Sequence, residues 1–203
     1  RVNTRVLDTV LEIAQRDNVG EIVSMRETAK PERPSWLEDV HDTTALEGTQ
    51  QQEFLVWKRE MARWYTDRKL MGTKYARFYS ATRAAETFKE YDELFFVHFA
   101  DSRGRLYPLT YGINPQGSDL QKSLLQFAKG KRLHNENARR WFLIHGANKW
   151  GFDKATLQER VDWHKDKDKL LMAIASDPVN RTEWQDADSP LQFLAWCFEY
   201  AEW

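Results

Sequence analysis

Cysteine is the scarcest residue: Cys197 stands alone in a chain of 203 residues. A single thiol excludes an intramolecular disulfide framework and a cysteine-based zinc site, and points to a reducing compartment. The five histidines (His41, His98, His134, His145 and His164) show no metal-ligand spacing. Long apolar runs are missing as well; none approaches the roughly 18–20 residues that a membrane-spanning helix requires. There is no signal-peptide pattern, no G-x-x-x-x-G-K-[ST] loop, no G-x-G-x-x-G turn and no serine in a nucleophile elbow. Asp186 and Asp188 precede a helix start and read as solvated loop acids. No self-contained catalytic centre emerges. A soluble, intracellular protein is the expectation. The opening Arg1-Val2-Asn3, without Met and inside a helical pattern, adds the expectation of an excerpt from a longer polypeptide.

Net charge is also small, at −1, but the charge is segregated. From Asp8 to Glu53 there are eleven acids and four bases. From Phe54 to Lys89 there are nine bases and three acids, and from Gln121 to Lys154 eight bases and two acids. Ala155 to Trp203 returns to ten acids against five bases. Two cationic segments therefore hide inside a neutral total, and screening over about 8–10 Å makes such local fields decisive. Helix faces also become basic by chance, so charge alone does not assign a partner.

What is present reads as mainly helical, with a small antiparallel β element in the middle. Residues 2–16 carry Val2, Val6, Val10, Ile13 and Leu7, Leu11, Ala14 at helical spacing. Asn18 to Gly48, with Pro31 and Pro34, reads as a loop or linker. Helices are expected over Gln50–Leu70 and Lys74–Glu90, joined by Met71-Gly72-Thr73 into an antiparallel hairpin. Phe54, Trp57, Met61, Trp64 and Tyr65 form a stripe expected to pack in a core. Leu94–Phe99 and Leu106–Tyr111 read as short strands flanking a turn. Further helices are expected over Asp119–Lys129, over Glu136–Lys149 with Asn135 as N-cap, and over Ala155–Ser176. Ser189-Pro190-Leu191-Gln192 reads as a capping box opening a last helix.

The turn carries the chemistry. Arg103 and Arg105, two apart on extended backbone, would present two guanidinium forks to successive phosphates. Gly104 removes a side chain where another backbone could approach, and Asp101 could clamp an arginine in place. Lys122, Lys129, Lys131 and Arg132 would add a positive wall. Such contacts hold nucleic acid without reading its sequence. A surface turn with an ordinary Asp–Arg pair fits these few residues equally well.

Six pieces in order resemble one family. They are Asp101-Ser102-Arg103-Gly104-Arg105-Leu106-Tyr107, Asn114-Pro115-Gln116-Gly117-x-Asp119, Leu124-Leu125-x-Phe127-Ala128-Lys129-Gly130-Lys131, Ile144-His145-Gly146-Ala147-Asn148, Gly151-x-Asp153-Lys154, and Asp188-Ser189-Pro190 leading to Phe198-Glu199-Tyr200. The series is similar to the bacteriophage single-subunit DNA-dependent RNA polymerases, densely from about Phe95 onward and more weakly through the N-terminal half, where Trp57-Lys58-Arg59 also fits.

That resemblance implies part of a right-hand fold of palm, fingers and thumb. Residues 1–91 would hold the end of an N-terminal domain and the helical thumb, and residues 92–203 the first part of the palm. Asp101, Arg103, Gly104 and Arg105 would touch the template strand and the RNA–DNA hybrid, Lys122 would lie near the hybrid, and Lys154 would help hold the incoming triphosphate. Mg2+ is implied for the complete enzyme, on aspartates outside this chain, which alone is expected to be inactive. Implied partners are template and promoter DNA, the RNA transcript, ribonucleoside triphosphates and the remaining polymerase segments, in the cytoplasm of an infected bacterial host, with no membrane. Ser102 departs from the aromatic residue common in phage members, and the spacing from the turn to Asn114 differs slightly. A non-catalytic nucleic-acid-binding helical module, or a scaffold whose charge only confers solubility, are the competing readings of the residues.

Overall fold

A computed structural model of the chain describes residues 1–16, 22 and 28–203. Helix α1 (Thr4–Gln15) begins where the Asn3 side chain accepts the Val6 N–H at 3.3 Å, and it buries Val6, Leu7, Val10 and Ile13 as the spacing predicts. Between α1 and the next helix, residues 17–21 and 23–27 lie outside the described residues. From residue 28 the segment is irregular, with single 3-10 turns at Ser35–Asp39 and Thr43–Ala45.

The expected helical hairpin is not formed. One continuous helix, α2 (Gly48–Phe88), runs for 41 residues, about 60 Å at 1.5 Å per residue. Gly72 lies inside it with nothing within 4 Å of a would-be Cβ. A lone glycine costs a helix only about 1 kcal/mol, and no proline follows to enforce a turn. Burial is confined to the C-terminal end, at Phe78, Ala81, Thr82 and Ala85. The N-terminal stripe is therefore not core: Phe54, Trp57, Met61 and Trp64 are half-covered and Tyr65 is exposed. Trp64 Nε1 donates to Thr28 O at 3.0 Å, Trp36 Nε1 donates to Glu53 Oε2 at 2.8 Å, and Lys30 lies over the Trp64 ring.

A two-stranded antiparallel sheet follows, β1 (His98–Ala100) and β2 (Leu106–Pro108), pairing Phe99 with Tyr107. Both strands are shorter than the expected runs. One further bond, Leu109 N–H to Val97 O at 2.7 Å, extends the ladder. Helix α3 (Asp119–Ser123) stops six residues before the expected Lys129. Beyond it the backbone pairs instead with the amino-terminal residues: Asn3 N–H donates to Leu124 O at 2.9 Å and Gln126 N–H to Arg1 O at 3.0 Å. Those carbonyls and amides cannot also serve a helical ladder.

Helix α4 (Glu136–Trp150) has the expected Asn135 cap, whose Oδ1 accepts the Ala138 N–H at 2.8 Å, and ends on Gly151 in the left-handed region at φ +112°. The single helix expected over Ala155–Ser176 is two, α5 (Leu157–Asp162) and α6 (Asp168–Ser176). The break comes where Trp163 packs against Trp150 and Phe193, with ring centroids 5.8 and 6.1 Å away.

The last helix, α7 (Pro190–Glu202), is the centre of the core. It buries Leu191, Phe193, Leu194, Trp196, Cys197, Phe198 and Tyr200 against α1, α3, α4 and α6. Pro190 takes the first helical position as expected, but Ser189 makes no side-chain cap bond. Burial pushes the Cys197 thiol up to about 12. Tyr200, also raised to about 12 by burial and by Asp168, donates its hydroxyl to Asp168 Oδ1 at 2.9 Å. Among the described residues no helix is long and apolar enough to cross a membrane.

α4 and α7 approach each other closely at Gly146. A Cβ on Gly146 would fall within 3.0 Å of three atoms of the Trp196 indole, which is itself buried and donates Nε1–H to Phe142 O at 2.9 Å. Gly146→Ala is therefore expected to destabilise the fold by about 1–3 kcal/mol, the usual cost of overpacking. Denaturant unfolding reads this directly, and an unchanged midpoint would contradict the packing described.

Candidate nucleic-acid interface

The loop between β1 and β2 is built around one carboxylate. Asp101 Oδ1 accepts the backbone N–H groups of Arg103 and Arg105, each at 2.9 Å. Its Oδ2 takes the Arg103 guanidinium at 3.3 Å and faces the Arg105 Nε at 3.5 Å. Backbone bonds close the turn, from Asp101 N–H to Arg105 O at 2.9 Å and from Gly104 N–H to Asp101 O at 3.0 Å. Gly104 stands at φ +78°, where a side chain would be strained, and nothing lies within 4 Å of its would-be Cβ. The side chains of Arg103 and Arg105 are 70 % and 54 % exposed, while Asp101 is only 19 % exposed beneath them. Hydrogen bonds hold its carboxyl below the ordinary range, first from the Arg105 backbone and then from Arg103 and the two side chains. The four predicted residues are thus brought together as one unit, with two cations presented to solvent and one anion fixing them.

The polar loop that follows braces this hairpin. Asn114 Oδ1 accepts the Gln116 N–H at 2.8 Å, and Gln116 Nε2 donates to Leu106 O on β2 at 3.0 Å. Gln121 Nε2 donates to Gly112 O, while Gln121 completes a capping box with Ser118 at the start of α3.

Lys122 sits exposed on α3, close enough to Lys149 on α4 for its charge to help depress that ammonium, after burial; Asp119 works in the opposite sense. Lys154 lies in the loop between α4 and α5, 91 % exposed, with Nζ 2.9 Å from Asp153 Oδ2. This partner holds the Asp153 carboxyl below its usual range. Among the described residues no hydrogen bond or ion pair joins Lys122 or Lys154 to the arginine turn, so the predicted residues form three stations rather than one. The eight bases of α2 from Lys58 to Arg83, and Lys89 just past its end, are all exposed.

Two supporting residues escape sequence reasoning. Asp119, read only as the end of a motif, caps α7: its carboxylate accepts the Leu191 N–H at 2.7 Å, the Gln192 N–H at 3.2 Å and Gln192 Nε2 at 2.9 Å. Arg160 ties the Lys154 loop by donating Nε–H to Ala155 O at 2.9 Å and NH1 to Asn148 Oδ1 at 3.1 Å. Both partnerships link separate elements, and no local pattern announces them. Among the described residues no three His, Cys, Asp or Glu side chains converge to hold a metal ion. The Mg2+ that the resemblance implies thus finds no ligand set in these residues.

A family profile described as DNA-dependent RNA polymerase matches residues 132–203. The DNA-directed RNA polymerase of Enterobacteria phage K11 is 34% identical over 203 residues, covering 99% of this chain and 21% of that protein. That of Enterobacteria phage T3 is also 34% identical, over 99% of this chain and 22% of its own. The T7 RNA polymerase of Escherichia phage T7 is 38% identical over 71% of this chain and 16% of its own. The chain spans about a fifth of the length of the K11 and T3 relatives.

Because the folded carboxyl of Asp101 titrates below 3.8, its contribution to the turn is fully present above that value. It is lost as pH falls through the lower folded value. The amide resonances of Arg103 and Arg105 are expected to shift together with one midpoint below 3.8. Separate midpoints, or one at or above 3.8, would contradict the shared carboxylate.

Proposed function

The chain belongs to the phage-type DNA-dependent RNA polymerases, and on that premise we propose that it holds the template strand and the RNA–DNA hybrid and contributes to the nucleoside triphosphate pocket during transcription. The observation that carries this reading is the Asp101 hub, which fixes two exposed guanidiniums on a rigid turn. Guanidinium forks suit phosphate oxygens, and an arginine already ordered loses less entropy on binding. Contacts of this kind grip a duplex of any sequence, as a transcribing enzyme requires.

In the complete enzyme the RNA 3′-hydroxyl attacks the α-phosphate of the incoming ribonucleotide, forming a phosphodiester bond and releasing pyrophosphate. Lys154, solvent-exposed and paired with its neighbour Asp153, can exchange that partner for a triphosphate. Lys122 on α3 and the exposed bases of α2 extend the cationic surface toward the hybrid. Residues 1–91 then serve as the end of an N-terminal domain and the thumb, a role that suits a 41-residue helix buried only at its C-terminal end. Residues 92–203 serve as the first part of the palm. The enzyme's Mg2+ would be held elsewhere, on carboxylates supplied by other segments, and none of the side chains described here is assigned to it. Template and promoter DNA, transcript and ribonucleotides are the partners, and the cytoplasm of the infected host is the place. A non-catalytic nucleic-acid-binding module would use the same arginines but would have no nucleotide to hold at Lys154.

Paired variants of the polymerase that carries this chain separate the two. Arg105→Ala is expected to shorten the lifetime of the transcribing complex at raised salt and increase release of short transcripts. Lys154→Ala is expected to raise the nucleotide KM by about tenfold, the loss of one charge-assisted contact. An unchanged lifetime counts against the turn's role, and an unchanged KM against the role of Lys154.

A further inference from the structure

Asp119 shares α3 with Lys122 and caps the helix whose start is bonded to the end of α4, just before the Lys154 loop. Three residues beyond it on α3 is Lys122. Its carboxylate reaches 72 residues along the chain to accept the Leu191 N–H at 2.7 Å, and also takes the Gln192 N–H at 3.2 Å and Gln192 Nε2 at 2.9 Å. Among the described residues no other side chain caps this end of α7. Pro190 has no N–H to offer, and Ser189 makes no side-chain cap bond. An anion here satisfies orphan donors and also meets the positive end of the helix dipole.

The residues just before that cap hold the Lys154 loop. Asp188 N–H donates to Trp150 O at 3.2 Å and Ser189 N–H to Lys149 O at 3.1 Å, so the start of α7 and the end of α4 are stitched together. Gly151, the next residue, lies so close to the Asp188 carboxyl that a Cβ would stand 2.8 Å from it. Lys154 follows three residues later, and Arg160 closes the far side through Asn148 and Ala155.

We propose that Asp119 is a positioning residue for nucleotide binding: by capping α7 it fixes the 188–189 segment, and through it the loop that presents Lys154, while keeping Lys122 in register on its own helix. The inference rests on the reading of Lys154 as a triphosphate contact. Asp119 itself touches no substrate. It acts by determining where an exposed, flexible lysine is rooted, so its removal weakens ground-state capture of the nucleotide rather than the chemical step.

The test uses the full-length polymerase and compares Asp119→Ala, Asp119→Asn, Lys154→Ala and the double variant Asp119→Ala/Lys154→Ala in steady-state nucleotide incorporation. Asp119→Ala is expected to raise nucleotide KM about tenfold with kcat changed less than about twofold. Asp119→Asn, which keeps an acceptor for the Leu191 N–H, is expected to lie between, at about threefold. In the double variant KM should be no higher than in Lys154→Ala alone, because the loop no longer presents anything to place. A merely structural role would lower the melting temperature and the active fraction while leaving KM alone, and that result overturns the proposal. So does a double variant whose effects multiply. If Asp119→Ala does not fold, an unchanged KM in Asp119→Asn overturns it equally. An unchanged KM in Lys154→Ala sinks the triphosphate reading itself, whereas a raised KM there with wild-type KM in the folded Asp119 variants sinks only the positioning role.

Discussion

Burial of the aromatic face of α7 is the constraint around which the other elements are arranged. Phe193, Trp196 and Tyr200 stack along it, with centroids 5.7 and 5.0 Å apart, and Trp150, Trp163 and Phe142 close over them. Each large side chain so buried contributes roughly 1.5–3 kcal/mol. The indole of Trp196 fits only because position 146 on α4 has no side chain. A helix packed on so many sides cannot leave its first N–H groups unpaired at negligible cost. The Asp119 carboxylate meets that demand, and in doing so it brings α3 and the end of α4 to the same place.

The arginine turn follows a different logic. Around it Phe95, Val97, Leu106, Leu109 and Tyr111 are all exposed, so burial does not determine its shape. Its order comes from one carboxylate accepting two backbone amides and two guanidiniums. Two cations sharing a single anion leave the turn net positive, and its charge stands in solvent rather than being consumed in a buried pair. The packed core thus sets where Lys122 and Lys154 are rooted, while the turn carries its own geometry with it.

Legibility in the sequence tracked how local each determinant is. The Asp101–Arg105 unit was readable because its bonds span two and four residues. Asn135 announced the start of α4, and helical spacing announced α1. Gly72 misled, since a glycine without a proline or a capping pattern is a weak stop and open space surrounds it. The early end of α3 depends on pairing with residues 1–3, and the break before α6 comes where Trp163 is packed against distant rings. Ser189 looked like a cap, but the donors it would have served went to a carboxylate 72 residues away. The segregation of charge was legible outright, because it is a property of composition, and the exposed bases of α2 bear it out.

A grip of the braced arginines on nucleic-acid phosphates must show in the salt dependence of hybrid binding. Affinity of the full-length polymerase for an RNA–DNA hybrid would be measured across a range of salt concentrations, with and without Arg103→Ala/Arg105→Ala. Each lost phosphate contact should reduce the slope of log K against log[salt] by about one. A slope shallower by about two in the double variant is the result predicted here. Parallel lines for the two proteins would contradict it.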